Sequence, residues 1–516
     1  MKKCKSLMVQ GTTSHSGKTL LVAAFCRLLS KSGYKVAPFK AQNMSLNSMV
    51  TSDGAEISRA QTLQASAAGV DATADMNPIL LKPKDPKTCQ VIVHGKPRFD
   101  LKYADYMTDF APKEGLRAVK ESYKRLTSAF DVIIIEGAGS PAEINLRHDI
   151  ANMRVAELAG ASVILTADID RGGAFASLVG TISLLKMEDR SRVKGLIINK
   201  LRGDPELLKP GIEVVQRVTG KKVLGVIPYV HNLSLPQEDS LSLEGYKSTR
   251  RAGLDIAVIR LPHISNFTDF DSLCSIKNVS LRYVSSKEEL GIPDALIIPG
   301  TKNTLSDLKW MRVQGLDLEV SRIAKMGVPL IGICGGFQML GKTIIDKKGV
   351  EDGVPGVHRG LGLLDVSTEF QEYAKLTRRV RASVFSEGPI LGHAHMGSLD
   401  GYEIHMGKSA LGSAARPAFK IDCDDQVEVF DGAIDASGLI LGTYIHGIFD
   451  SSPLRRALFR HIALKKGLEP PEQSAKTVRE GWLSSIDLVA DVVRKNLDVA
   501  EIYRITGLNQ DAYSHE

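Results

Sequence analysis

The stretch KSLMVQGTTSHSGKTLLVAAFCRLLSKSG, residues 5–33, decides the fold. KSLMVQ reads as a buried strand, Gly11–Thr19 (GTTSHSGKT) as a glycine-rich turn, and the run from Ser16 onward as a helix that stops at Gly33. Strand, glycine loop, GKT and helix in that order make a loop that cradles phosphate. Backbone N–H groups of the loop and of the helix N-terminus point at anionic oxygens. In this reading Lys18 reaches the β- and γ-phosphates and the Thr19 hydroxyl binds Mg2+, while Thr12, Thr13, Ser14, His15, Ser16 and Gly17 form the loop wall. Gly11 stands one residue early against the usual G-x-x-x-x-G-K-[ST] spacing, and Thr12 takes the place of the first glycine.

Working outward, VAPFK (36–40), DVIIIEGAG (131–139), ASVILTADID (161–170), KGLIINK (194–200) and KVLGVIPY (222–229) are further buried strands. AEISRAQTLQASAAG (55–69) reads as a small-residue helix. Continuous apolar strands alternating with helices predict a parallel sheet covered on both faces. Glu136 ends one of these strands, where a Walker-B-type acid would hold Mg2+. Asp53 is a second candidate metal ligand, or a helix N-cap.

A polar stretch over 233–252 interrupts the pattern and reads as a linker. A second α/β series follows: DIAVIRLP (255–262), SLRYVSS (280–286), DALIIPG (294–300) and VPLIGIC (328–334), then glycine-rich β-like segments and a basic amphipathic helix, PLRRALFRHIALKKG. The expected architecture is α/β with two doubly wound domains, 1–232 and 253–465, and a helical, peripheral tail over 466–516.

Bulk properties narrow the function. A chain of 516 residues needs more than one core. No apolar run reaches the roughly 18 residues of a membrane span. The apolar part of MKKCKSLMVQGTT is too short for a secretion signal, so a cytoplasmic protein is expected. The six cysteines form no CxxC pair, which argues against zinc and disulfide frameworks. A net charge of +7 is spread thinly, with no basic run interleaved with aromatics. No nucleic acid partner is expected, whereas an anionic small substrate suits the balance. Nothing in the pattern selects between a monomer and a homo-oligomer.

GVPLIGICGGFQMLG (327–341) carries the second chemistry. A strand ends in Cys334 and a helix starts at GGFQML, the plan of a nucleophile elbow. Such a turn strains the nucleophile's backbone and needs small neighbours, which Gly332, Gly335 and Gly336 provide. The helix N-terminus favours thiolate. The Gly335 N–H would serve an oxyanion hole, with Gly300 or Thr301 of IIPGTKNT as the second donor. His446 in GTYIHGIFD follows a short apolar strand and is the candidate base. His263, His393, His395 and His405 are left as structural or substrate-contact histidines.

These motifs carry a resemblance. GICGGFQMLG with the downstream YIHGIFD resembles the class I glutamine amidotransferase domain. The N-terminal half resembles the dethiobiotin-synthetase-like P-loop ligases, whose loop has the same extra residue before GKT. In this order the two modules, with VAPFKAQNMSLNS, DGAEISRAQ, DIDRGGAFASLVGT, NKLRGD, PGTKNT and GYEIHMG, resemble the corrinoid amidotransferases of cobalamin biosynthesis. The resemblance implies ATP- and glutamine-dependent amidation of the b, d, e and g carboxylates of adenosylcobyrinic acid a,c-diamide, a corrinoid substrate. It implies Cys334 as glutaminase nucleophile, His446 as base, the 11–19 loop for ATP, and Thr19, Asp53 and Glu136 as Mg2+ contacts. Asn199 matches a position associated with adenine. Because ammonia is mostly protonated in bulk water at neutral pH, glutamine hydrolysis and amidation in one chain lead to the expectation of a sequestered ammonia path between the domains. The broader class has a glutamate two residues after the histidine; here that residue is Ile448, so an orienting acid is absent or comes from elsewhere, with Asp450 and Glu403 as candidates. Cobyrinic acid a,c-diamide synthesis is the near alternative, and a P-loop switch ATPase with a noncatalytic second domain the distant one.

Overall fold

The computed structural model describes residues 4–143, 149–231, 233–236, 253–274, 276–351, 353–371, 375–392, 397–422, 428–472 and 477–509. Most of the expected linker, and His393 and His395, lie outside the described residues. The chain divides into two compact units. One comprises 1–45, 55–235 and 479–516; the other comprises 46–54 and 236–478.

In the first unit β1 (Lys5–Gly11) leads through the glycine loop into α1 (Lys18–Lys31) and β2 (Val36–Phe39). A ten-residue helix, α2 (Arg59–Ala68), precedes β3 (Val132–Glu136), β4 (Ser162–Asp168), β5 (Val193–Leu201) and β6 (Val223–Pro228). These six strands form one sheet in the order β6-β5-β4-β1-β3-β2. Every pairing in it is parallel. The apolar runs explain this: β3 is buried at every position, as a strand covered on both faces must be. Pro38, which has no N–H to give, sits in the edge strand β2. Helix α2 starts later than its apolar pattern suggests, because Glu56–Ser58 is extended and turns into the helix at Ser58.

The second unit has the same logic. Its strands are β7 (Leu254–Ile259), β8 (Val279–Val284), β9 (Ala295–Ile298) and β10 (Leu330–Ile333), followed by the short helix α3 (Gly335–Leu340). Later come β11 (Leu399–Met406), β12 (Ala433–Ile434), β13 (Ile440–Thr443), β14 (Ile445–His446) and α4 (Ser452–Lys466). The main sheet runs β8-β7-β9-β10-β13-β12, parallel except for the last strand. Strand β14 leaves it to pair antiparallel with β11, with Tyr402 opposite His446.

Helices α5 (Val478–Asn496) and α6 (Val499–Thr506) correct the expectation of a peripheral tail. Trp482, Ile486, Val489, Ala490 and Val493 of α5 are buried. Asp487 takes a two-pronged bond from Arg27 of α1 at 2.8 and 3.1 Å and an ion pair from Lys31. Leu497 bridges Gly225 of β6. These residues close the first unit.

Candidate active site

The glycine loop lies at the C-terminal end of β1, where an open parallel sheet receives its ligands. Its backbone is special at two points: His15 has φ 60° and Gly17 has φ 90°. Gly11 allows close approach, since a methyl there would lie 2.1 Å from Ser16 Oγ. Lys18 is buried and donates to the carbonyls of Thr13 at 2.9 Å and Gly139 at 3.2 Å. Ser16 Oγ is buried with no partner, an orphan a phosphate oxygen would satisfy.

Thr19 and Glu136 are brought together: Thr19 Oγ1 donates to Glu136 Oε1 at 2.9 Å. The same carboxylate, 1% exposed, takes Lys40 Nζ at 2.9 Å and Gln64 Nε2 at 2.5 Å. A hydroxyl and a carboxylate are hard oxygen donors and fit Mg2+. Among the described residues no cluster of three acids, histidines or cysteines could hold a metal alone, so phosphate oxygens would have to complete its shell. Asp53 is exposed, accepts from Thr51 Oγ1, and belongs to the 46–54 segment of the second unit. Asn199 braces the loop: its Nδ2 donates to Ser16 O at 2.9 Å and its Oδ1 accepts from Lys200 N at 2.9 Å.

In the second unit Cys334 stands between β10 and α3 at φ 52°, ψ −108°. A non-glycine residue held there is strained, as a nucleophile elbow requires. The neighbouring glycines admit no side chain. A methyl on Gly336 would sit 2.1 Å from Ile298 O, one on Gly335 2.6 Å from Thr301 Cγ2, and one on Gly332 2.6 Å from Leu340 Cδ1. Gly300 backs onto His446, with its methyl position 3.0 Å from His446 Cε1.

His446 and Cys334 are both buried, and Cys334 Sγ donates to the carbonyl of Ile404 at 3.6 Å. The carboxylate bonded to His446 is neither Asp450 nor Glu403, the latter being paired with Arg378 Nε. It is Asp269, 177 residues upstream and 2% exposed. His446 Nδ1 bonds Asp269 Oδ2 at 2.7 Å, and Gly447 N donates to Oδ1 at 3.0 Å. Burial by itself would push His446 down; the charge and hydrogen bond of Asp269, with Cys334 beyond, raise it to about 10. Tyr402 stacks on the imidazole at 5.3 Å. Asp269 follows Asn266, held at φ 52°, in the turn after β7. The available signal was SNFTDFD, dense in polar residues directly after a predicted strand end.

The other histidines divide. His263 pairs with Asp307 at 2.7 Å, and Asp307 also takes the Thr301 hydroxyl, which fixes the Gly300–Thr301 turn. His405 stacks on Tyr444 at 3.7 Å, and burial lowers it to about 4, so it is neutral.

A phosphate-cradling loop and a Cys-His-Asp constellation, each at the C-terminal edge of its own parallel sheet, define an ATP-dependent glutamine amidotransferase. Residues 7–243 match the CobQ/CobB/MinD/ParA nucleotide binding domain, and residues 255–454 match the CobB/CobQ-like glutamine amidotransferase domain. The cobyric acid synthase of Moorella thermoacetica is 49% identical over 98% of both chains. That of Desulforamulus reducens is 46% identical over 99% of both, and that of Pelotomaculum thermopropionicum 47% over 98% of this chain and 97% of its own. The chain belongs to the cobyric acid synthase family, the ligases of cobalamin biosynthesis that take glutamine as amido donor.

Proposed function

We propose that the chain amidates the b, d, e and g side-chain carboxylates of adenosylcobyrinic acid a,c-diamide, using one ATP and one glutamine per round. The observation that carries this is the pairing of two complete chemistries in one chain of the family's full length. A carboxylate is a resonance-stabilised anion that ammonia does not attack. Transfer of the γ-phosphoryl group of ATP makes an acyl phosphate with a good leaving group. Lys18 and the 11–19 loop offset the charge that develops in that transfer. Thr19 and Glu136 would hold Mg2+, which would neutralise phosphate charge. Asn199 keeps the loop in its cradling shape.

Ammonia is the second reactant. Cys334 thiolate attacks the glutamine amide, and Gly335 and Gly300 N–H groups receive the oxyanion. His446, protonated, gives its proton to the departing nitrogen, leaving a γ-glutamyl thioester. The neutral imidazole then takes a proton from water, the hydroxide so formed attacks the thioester carbonyl, and glutamate leaves with the Cys334 thiolate and the imidazolium restored. Asp269 holds the ring through Nδ1, so that Nε2 carries the proton traffic.

Mass spectrometry of the product from the a,c-diamide, ATP and glutamine tests the reading. Four successive losses of about one mass unit each are expected, since NH2 replaces OH. Two amidations on the a,c-diacid precursor instead would move the assignment to the diamide-forming reaction.

A further inference from the structure

We propose that Arg59 anchors a carboxylate of the substrate other than the one being phosphorylated, and so sets the register of a polycarboxylate on the first unit. Arg59 is the first residue of α2 and is 3% exposed. Its Nε is buried with no hydrogen-bond partner, and among the described residues no carboxylate pairs with its guanidinium. A buried cation without a counter-charge is costly, and structures keep one where a ligand supplies the charge. Its π face is covered instead: the guanidinium carbon lies 4.7 Å from the ring centre of Trp482. Stacking leaves the N–H donors in the guanidinium plane, where a carboxylate is taken two-pronged.

The helix end repeats the message. Ser58 does not cap α2 with its side chain, and the first turn holds no acid. The positive end of the helix dipole therefore adds to the Arg59 charge, because side chains lean towards the N-terminus. Nearby charge is otherwise cancelled, Lys82 being paired with Glu56 at 2.5 Å. Asn43 donates to Ser58 Oγ at 2.7 Å and to Gln61 at 3.1 Å, so these groups are satisfied.

Position selects the ligand. Five residues along α2, Gln64 bonds Glu136 at 2.5 Å and the carbonyl of Thr19 at 3.3 Å, at the phosphoryl-transfer centre. Five residues of helix rise span about 7.5 Å. An anion at Arg59 is thus offset from the reacting group by a distance suited to a second side chain on one ring. This rests on the amidation proposed above. Each round turns a carboxylate into a neutral amide, so the anchor has fewer partners after every round, and the product of the fourth, which keeps only the f carboxylate, is held less tightly.

Full-length wild type and Arg59→Gln are compared for binding of the a,c-diamide and of the product amidated at b, d, e and g, followed by corrinoid absorbance, with KM values for corrinoid and ATP. Wild type should favour the substrate by about tenfold, and the variant should bind both alike, with its corrinoid KM raised about tenfold and its ATP KM within about twofold. Partly amidated species should accumulate in its product spectrum. Unchanged discrimination in a folded variant overturns the proposal, as does a rise confined to the ATP KM, which would make Arg59 a phosphate ligand. If the glutamine variant does not fold, Arg59→Lys keeps the cation and loses the fork; discrimination reduced about threefold supports the anchor, and full discrimination overturns it. Failure of wild type to convert the diamide at all would instead sink the reaction assignment, and the anchor with it.

Discussion

His446 keeps its second proton far above its ordinary range, chiefly because of Asp269, with Cys334 adding to the effect. The sign has two consequences. Protonated His446 stabilises the fold in full below pH 6.5, and that contribution fades as pH climbs towards about 10. Glutamine hydrolysis that uses imidazolium as acid should fall along the same alkaline limb. Asp269→Asn removes the charge, so His446 drops and the limb of the kcat–pH profile moves to lower pH by at least about one unit, with kcat down roughly 10²- to 10⁴-fold. A limb that stays in place would make Asp269 a packing residue. Cys334, His446 and Lys18 were legible in sequence because each sits in a local motif whose chemistry needs its neighbours. Asp269 was not, since the acid usually expected near the histidine is replaced by Ile448 and its substitute arrives from a distant turn.

At the scale of elements, glycines decide whether α3 can sit on β9. A methyl on Gly336 would press into Ile298 O and stand 2.7 Å from Ile298 C, both backbone atoms that cannot yield cheaply. Gly336→Ala should cost about 1–3 kcal/mol and lower the second unit's thermal midpoint. Gly180, inside the helix Ala174–Leu184, has nothing within 4 Å of that methyl position, so Gly180→Ala should raise stability by about 0.5–1 kcal/mol. Calorimetry of both variants checks the pair; a neutral Gly336→Ala would mean that α3 has room to shift. Most of the ten main strands that sequence reading found were legible because burial on both faces leaves one apolar run, while the edge strands Val223–Pro228 and Val279–Val284 are less covered or carry a charge. The antiparallel hairpins over Ile79–Pro83, Thr88–Val93 and Lys96–Lys102 were not, because Lys96–Lys102 is largely exposed and mixes charge into its pattern.

For the whole molecule, two chemistries on separate units can be taken apart. Cys334→Ser should abolish glutamine-dependent amidation yet keep turnover with high ammonium at alkaline pH, where free ammonia exists. Lys18→Ala should lose turnover with either nitrogen source. Corrinoid product measured under both conditions checks the division; no ammonium rescue in the serine variant would show that the cysteine also serves the synthetase step.

The return of α5 and α6 to the first unit has a consequence for how the protein is made. The first unit is encoded in pieces, with the whole of residues 236–478 between them. At roughly 5–20 residues per second, a ribosome needs on the order of tens of seconds to cross that stretch. Throughout that interval the nascent phosphate-binding sheet lacks the helix that carries Trp482 and Asp487. The residues of the second unit are thus all made before the last piece of the unit that begins the chain, so the first unit is the later of the two to have its full sequence.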